Sequence, residues 1–194
     1  ILFATAVTIG IFSSIKAHTS KRNFYYLFCG AWIGISFMFK TFLTCVPLLA
    51  ISPFIIQKNI IKNKFFWIGL FIGFLPFIIW SFNIINLYGF EIYNGLFEKL
   101  LFLSKKNIFT NPFYYYFWNL PLNIFPWTFL LIPGLINAFK LKNSVSKYFL
   151  FFYPLTILFF LSLFSAKSPY YPLQILSLFS INICLGILSI LEKR

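Results

Sequence analysis

Three properties of the chain point to an all-α bundle of membrane-crossing helices. Of its 194 residues, 60% are hydrophobic and only 10% are charged. Soluble domains carry about 25% charged residues, so a soluble fold of this composition would lack the polar groups to cover its surface. The apolar residues fall into runs near the 17–25 residues that a helix needs to cross a bilayer. The cations fall between those runs, as topology signals do.

Candidate spans are 1–17, 24–39, 42–57, 65–88, 119–139, 148–164 and 173–191, about seven crossings of a polytopic bundle. The second and third are separated only by Lys40 and Thr41. As one helix they would extend about 51 Å, well beyond a hydrocarbon core of about 30 Å, so a hairpin at Lys40 is expected. Pro47, Pro53, Pro76, Pro126, Pro133 and Pro154 lie inside spans, where neighbouring helices can satisfy the carbonyls that proline frees. The one long connector is 89–118. In it Ile92, Leu96, Leu100 and Leu103 recur at helical spacing, which predicts an interfacial helix with Glu91, Glu98, Lys99 and Lys105 on its polar face. The aromatic run ending at Trp118 then enters the next span at headgroup level. No repeat or low-complexity linker divides the chain, so 1–194 is expected to be a single transmembrane domain. Ile1 opens within an apolar run without a Met or a basic n-region, unlike a signal peptide. The expectation is a fragment lacking its N-terminal spans and first outer loop.

Charge placement predicts sidedness. The connectors 16–23, 58–64, 140–147 and 192–194 carry eleven of the 16 cations, whereas Lys40, Lys99, Lys105, Lys106 and Lys167 make up the other side. The positive-inside rule puts the eleven in the cytoplasm. Lys40, the 89–118 connector and the Lys167 turn then share the extracytoplasmic face of a multi-pass inner (plasma) membrane protein. The net charge of +13 is accounted for by these clusters and by contact with membrane lipids, and nucleic acid is not an expected partner. Cys29, Cys45 and Cys184 lie in apolar runs without ligand spacing and read as small hydrophobes. His18 is the sole histidine, so a His-built metal site is excluded.

Lys167, in Phe164-Ser-Ala-Lys-Ser-Pro-Tyr-Tyr171, is the lone charge between two long apolar runs. A lysine at the bilayer centre would cost about 2.5–3.5 kcal/mol. Pro169 and the interfacial rings Tyr170 and Tyr171 instead mark a turn at the membrane surface. A cation with two phenols at the mouth of a helix hairpin suits the phosphate of a lipid-linked substrate. Lys40 has two readings, an anionic-headgroup ligand or a snorkelling lysine at a helix end. Glu98 is either a solvated residue of the interfacial helix or a group that orients a sugar hydroxyl or holds a metal. Tyr114, Tyr115 and Tyr116 form an aromatic belt, with room for one to turn toward substrate. No triad, phosphate loop or dinucleotide fingerprint is present. The chain has three acids and no Asp, too few placed carboxylates for general-base catalysis, so no catalytic residue is assigned within it. A membrane transporter or lipid-carrier flippase is the alternative class. Its mid-span polar groups are represented only by scattered Asn83, Asn86, Asn137, Asn182 and hydroxyls.

Four segments resemble the bacterial GT-C glycosyltransferases, the group that includes aminoarabinose transferase of lipid A and the protein O-mannosyltransferases. Cys29-Gly-Ala-Trp-Ile-Gly-Ile-Ser-Phe-Met-Phe-Lys-Thr41 is similar to that family's "GLxxGLAFLTKG" helix end. Asn111-Pro-Phe-Tyr-Tyr-Tyr116 is similar to "HPxPWYYY", and Asn123-Ile-Phe-Pro-Trp-Thr-Phe-Leu130 to "GxFPWTLLL". Phe164 to Tyr171 is similar to "FSxSKLPHYILP". The resemblance implies transfer of a sugar from a polyprenyl-phosphate carrier to a lipid or protein acceptor at the extracytoplasmic face. It implies that Lys40 and Lys167, with Tyr170 and Tyr171, bind the carrier phosphate and that Glu98 and Tyr115 shape the substrate site. It also implies that an acidic residue upstream serves the acceptor. No protein-held metal is assigned, and the cofactor is left open, a divalent metal included.

Overall fold

The computed structural model describes residues 1–95, 98, 111–164 and 167–192, the side chain of Phe42 excepted. Among these residues every regular element is helical, so the chain is all-α. Helices α1 (Leu2–Ser20) and α2 (Asn23–Lys40) form a hairpin that turns at Lys21, whose φ of 51° is left-handed. The hairpin expected at Lys40 is present. α2 stops there, a 3₁₀ turn spans Phe42–Thr44, and α3 (Cys45–Gln57) follows. The Thr44 hydroxyl donates to the Lys40 carbonyl at 3.1 Å, satisfying one orphan group of the α2 terminus. Helix α4 (Lys64–Tyr88) starts from Asn63, whose side chain accepts from the Phe65 amide at 2.9 Å, an N-cap of the usual kind.

The second half comprises α5 (Tyr115–Ile124), α6 (Thr128–Lys140), α7 (Ser144–Leu163) and α8 (Leu176–Leu191). A 3₁₀ turn over Tyr171–Ile175 leads into α8. In α7 the first turns pass through a π-helical stretch, Tyr148–Phe152, just before Pro154. That proline leaves the Leu150 carbonyl without its helical donor. The Asn182 side-chain amide of α8 replaces it at 2.8 Å. Pro53 likewise frees the Leu49 carbonyl, which accepts from the Ser52 hydroxyl at 2.9 Å.

Glycines set the helix contacts, as they do where lipid on all sides removes the hydrophobic drive between helices. Gly30 and Gly34 of α2 face Gly69 and Gly73 of α4. A Cβ at Gly30 would strike the Phe66 carbonyl, and one at Gly69 the Leu27 carbonyl. The two backbones therefore touch. Gly134 of α6 lies in the same way on the Asn182 backbone of α8, and Gly186 on Leu130.

Helix directions agree with the charge count. At one end of the bundle His18 meets Phe54 edge-on at 6.0 Å, and Phe54 stacks on Tyr148 at 5.8 Å. The ends of α1 and α3 and the start of α7 thus gather there, with their basic connectors. Away from that end, Thr8 in the first half of α1 shares a hydrogen bond of 3.2 Å with Ser177 at the start of α8.

Two expectations change. All seven candidate segments are helical, but seven crossings are not established. Three helices are long and apolar enough to span a membrane, Lys64–Tyr88, Ser144–Leu163 and Tyr171–Leu191, and a fourth is counted only if α5 and α6 form one span. The 13 residues of α3 extend about 20 Å, short of a hydrocarbon core of about 30 Å. The expected single span 119–139 is instead bent by 112° between α5 and α6. Phe125, ahead of Pro126, has φ −54° and ψ 138°, the extended geometry that a following proline favours. Of the expected interfacial helix, residues 91–95 and Glu98 are helical; Leu96, Lys99, Leu100, Leu103, Lys105 and Lys106 lie outside the described residues.

Candidate functional site: a clasped basic turn

The site is built where α2 ends, α5 begins and α7 passes into α8. Lys40 is exposed at the last position of α2, where a cation is favoured by the helix dipole. Its ammonium lies 5.2 Å from the centroid of the Tyr171 ring, within cation–π range. Tyr171 opens the 3₁₀ turn before α8, and its carbonyl accepts from Gln174 Nε2 at 3.3 Å. Gln174 is fully buried, and its Oε1 has no partner.

Lys167 is placed differently from Lys40. It is only 5% exposed, and its ammonium donates to the carbonyls of Asn111 at 2.8 Å and Phe164 at 2.6 Å. Phe164 caps the α7 end of the turn with ψ 138°, so its carbonyl is one that a helix terminus leaves without a backbone donor. Burial pushes the Lys167 ammonium below the ordinary lysine pKa, because removing water penalises the charged form. The contact is reciprocated. Asn111 Nδ2 donates to the Lys167 carbonyl at 3.4 Å, and the Tyr116 hydroxyl donates to the Ser168 carbonyl at 3.1 Å.

The tyrosine run divides by helical phase. Tyr114 is 62% exposed, whereas Tyr115 and Tyr116 are buried. Tyr116 shares an i, i+4, i+8 stripe with Leu120 and Ile124, all inward-facing. Tyr115 packs edge-on to Tyr116 at 5.2 Å and to Trp118 at 5.4 Å. Below the turn is an apolar hollow of about 440 Å³ between α5, α6, α7 and α8, lined by Tyr116, Leu120, Leu131, Leu158 and Phe179 among others. Tyr170, 70% exposed, borders a hollow of about 240 Å³ with Asn123, Pro169 and Pro172.

Of the six residues singled out by sequence, Lys40 touches Tyr171, and Lys167 and Tyr170 lie in the same turn as Tyr171, although the Lys167 ammonium is directed to Asn111 and Phe164. Tyr115 stands one residue from the tyrosine that touches the turn. Glu98 is helical and exposed in a connector largely outside the described residues. Sequence reasoning missed Asn111, Tyr116 and Gln174 as site residues. The inward stripe 116/120/124 was a signal that would have separated Tyr116 from Tyr114. Among the described residues, no three His, Cys, Asp or Glu side chains group as metal ligands.

Comparison with known proteins bears on this geometry. Residues 1–81 match the family model described as dolichyl-phosphate-mannose-protein mannosyltransferase. The undecaprenyl phosphate-alpha-4-amino-4-deoxy-L-arabinose arabinosyl transferase of Yersinia enterocolitica is 28% identical over 180 residues, covering 88% of this chain and 32% of that protein. The protein of the same name from Serratia proteamaculans is 26% identical over 178 residues, again covering 88% of this chain and 32% of its own length. The chain thus spans about a third of the length of these relatives. No solved structure matches. The chain is thus similar to the mannosyltransferase family over residues 1–81 and to the two arabinosyl transferases along most of its residues.

Proposed function

We propose that this chain forms the carrier-binding part of a glycosyltransferase that moves a sugar from a polyprenyl-phosphate carrier to a lipid or protein acceptor. The observation that carries the reading is the meeting of Lys40 with Tyr171, at 5.2 Å, in the turn that also holds the buried Lys167. The exposed Lys40 ammonium takes the carrier phosphate, while Tyr170 and Tyr171 frame it. The hollow between α5, α6, α7 and α8 receives the first isoprenoid units of the tail. Tyr115 and Glu98 shape the sugar side.

The chemistry asks for a cation at this position. As the bond from sugar C1 to the phosphate oxygen breaks, its electron pair stays on the phosphate, which goes from one negative charge to two. The acceptor oxygen forms the new bond to C1 and gives up its proton to a general base, a role that none of the residues assigned here fills. A fixed ammonium beside the departing phosphate stabilises charge where it develops, the arrangement that lowers such barriers most. On this reading 1–194 is one transmembrane domain in the inner (plasma) membrane, with the turn facing outward.

The test uses the full-length protein in detergent. Titration with polyprenyl phosphate should show binding, and Lys40→Met should weaken it about tenfold, roughly 1.4 kcal/mol, without changing the amount of monodisperse protein. Equal affinity in Lys40→Met removes Lys40 from the site. Absence of binding in the unmodified protein overturns the reading.

A further inference from the structure

We infer that Lys167 is a positioning residue, which with Asn111 and Tyr116 clasps the exit of the 89–118 connector to the 167–171 turn and so sets the Tyr171 ring beneath the Lys40 ammonium. The inference deepens the carrier-site reading and rests on it.

The argument is one of donor accounting. A lysine ammonium has three N–H donors, and two of those on Lys167 are spent on the carbonyls of Asn111 and Phe164. At 5% exposure it is buried, whereas Lys40 is exposed. The turn is held by three side chains, each on a different carbonyl: Asn111 on that of Lys167, Tyr116 on that of Ser168, and Gln174 on that of Tyr171. With those carbonyls engaged from within, the turn has little freedom to rotate, and the direction of the Tyr171 ring follows. Two of the three holders, Asn111 and Tyr116, lie where the outer connector leads into α5. The connector and the cation site are therefore mechanically joined, and removing the ammonium strands two carbonyls that burial makes costly to leave unpaired.

Direct phosphate binding by Lys167 and positioning through the turn make different predictions. In the full-length protein, with Cys29, Cys45 and Cys184 replaced, Lys167→Met should raise hydrogen exchange about tenfold in both 111–116 and 167–173, and weaken polyprenyl phosphate binding about tenfold. A short thiol cross-link between Asn111→Cys and Ser168→Cys should restore that affinity to Lys167→Met but not to Lys40→Met. Should Lys167→Met fail to fold, Tyr116→Phe removes a single hydroxyl and should raise exchange about threefold in 167–173. Unchanged exchange in the folded variant shows that no clasp exists. A cross-linked Lys167→Met that still binds weakly shows that the ammonium itself holds phosphate. Both results overturn the inference. If the unmodified protein fails to bind polyprenyl phosphate, the carrier-site reading falls and the positioning role falls with it, while the exchange arm still reports separately whether the clasp exists.

Discussion

The Asn182 amide of α8 donates to the Leu150 carbonyl of α7 at 2.8 Å, the one carbonyl that Pro154 deprives of its helical donor. A polar side chain inside an apolar run thus has a structural use. It ties two helices together and heals the break that the proline makes. Asn182→Leu keeps the volume and leaves the carbonyl open. The expected loss is about 0.6 kcal/mol and at most about 1.7 kcal/mol, the range for interhelical hydrogen bonds in membranes. Reversible unfolding in mixed micelles measures it, and an unchanged midpoint would show that the bond contributes nothing.

The α2–α4 contact makes a larger demand. Any side chain at Gly30 or Gly73 projects into the backbone of the opposite helix, which cannot retreat as a flexible side chain would. Gly73→Leu should cost at least the 1–3 kcal/mol or so of ordinary overpacking and shift the protein from a monodisperse peak to aggregate in size-exclusion chromatography. Gly95, where an added methyl would meet nothing within 4 Å among the described residues, is the control. Gly95→Ala should run like the parent, and a Gly73→Leu protein that also does so would mean that the close approach is not required.

The helical segments and the hairpin at Lys40 were legible in the sequence because hydropathy and charge placement are local properties, written within each run. The bend at Phe125 was missed for a physical reason. Pro126 stands among prolines that neighbouring groups can accommodate, and whether a proline is healed or breaks its helix depends on whether a donor, near in the chain or far from it, reaches the freed carbonyl. Pro154 has Asn182, and Ser52 serves the carbonyl freed by Pro53; at Phe125 the chain turns instead. The clasp has the same character. Lys167 was conspicuous as a lone charge, yet its carbonyl partner on Asn111 is 56 positions away along the chain, and no local pattern names it.

On the proposed reading the basic connectors and the clasped turn lie on opposite faces of the membrane. Asn143, which caps the start of α7, lies in the basic connector 140–147, while Ser168 lies in the clasped turn. Single cysteines at these positions in the full-length protein should react with a membrane-impermeant maleimide from opposite faces, Ser168→Cys from the outer face of intact cells and Asn143→Cys only after permeabilisation. Labelling of both from one face would mean that an odd number of crossings between them is wrong, and with it the joint placement of Lys40 and Lys167.

The contact between Lys40 and Tyr171 separates ring from hydroxyl. If the ring face orients the ammonium, Tyr171→Phe keeps the interaction, because the quadrupole belongs to the ring. Tyr171→Leu keeps bulk and loses it. At a surface position the difference is about 0.5–1 kcal/mol, which corresponds to roughly two- to fivefold in affinity. Titration of the full-length protein with polyprenyl phosphate should therefore rank the parent and Tyr171→Phe together, Tyr171→Leu a few-fold weaker, and Lys40→Met weaker again. Combining Lys40→Met with Tyr171→Leu should add little to Lys40→Met alone, since the ring would act only through the ammonium it holds. A Tyr171→Phe variant as weak as Tyr171→Leu would instead assign the hydroxyl a contact of its own with the phosphate.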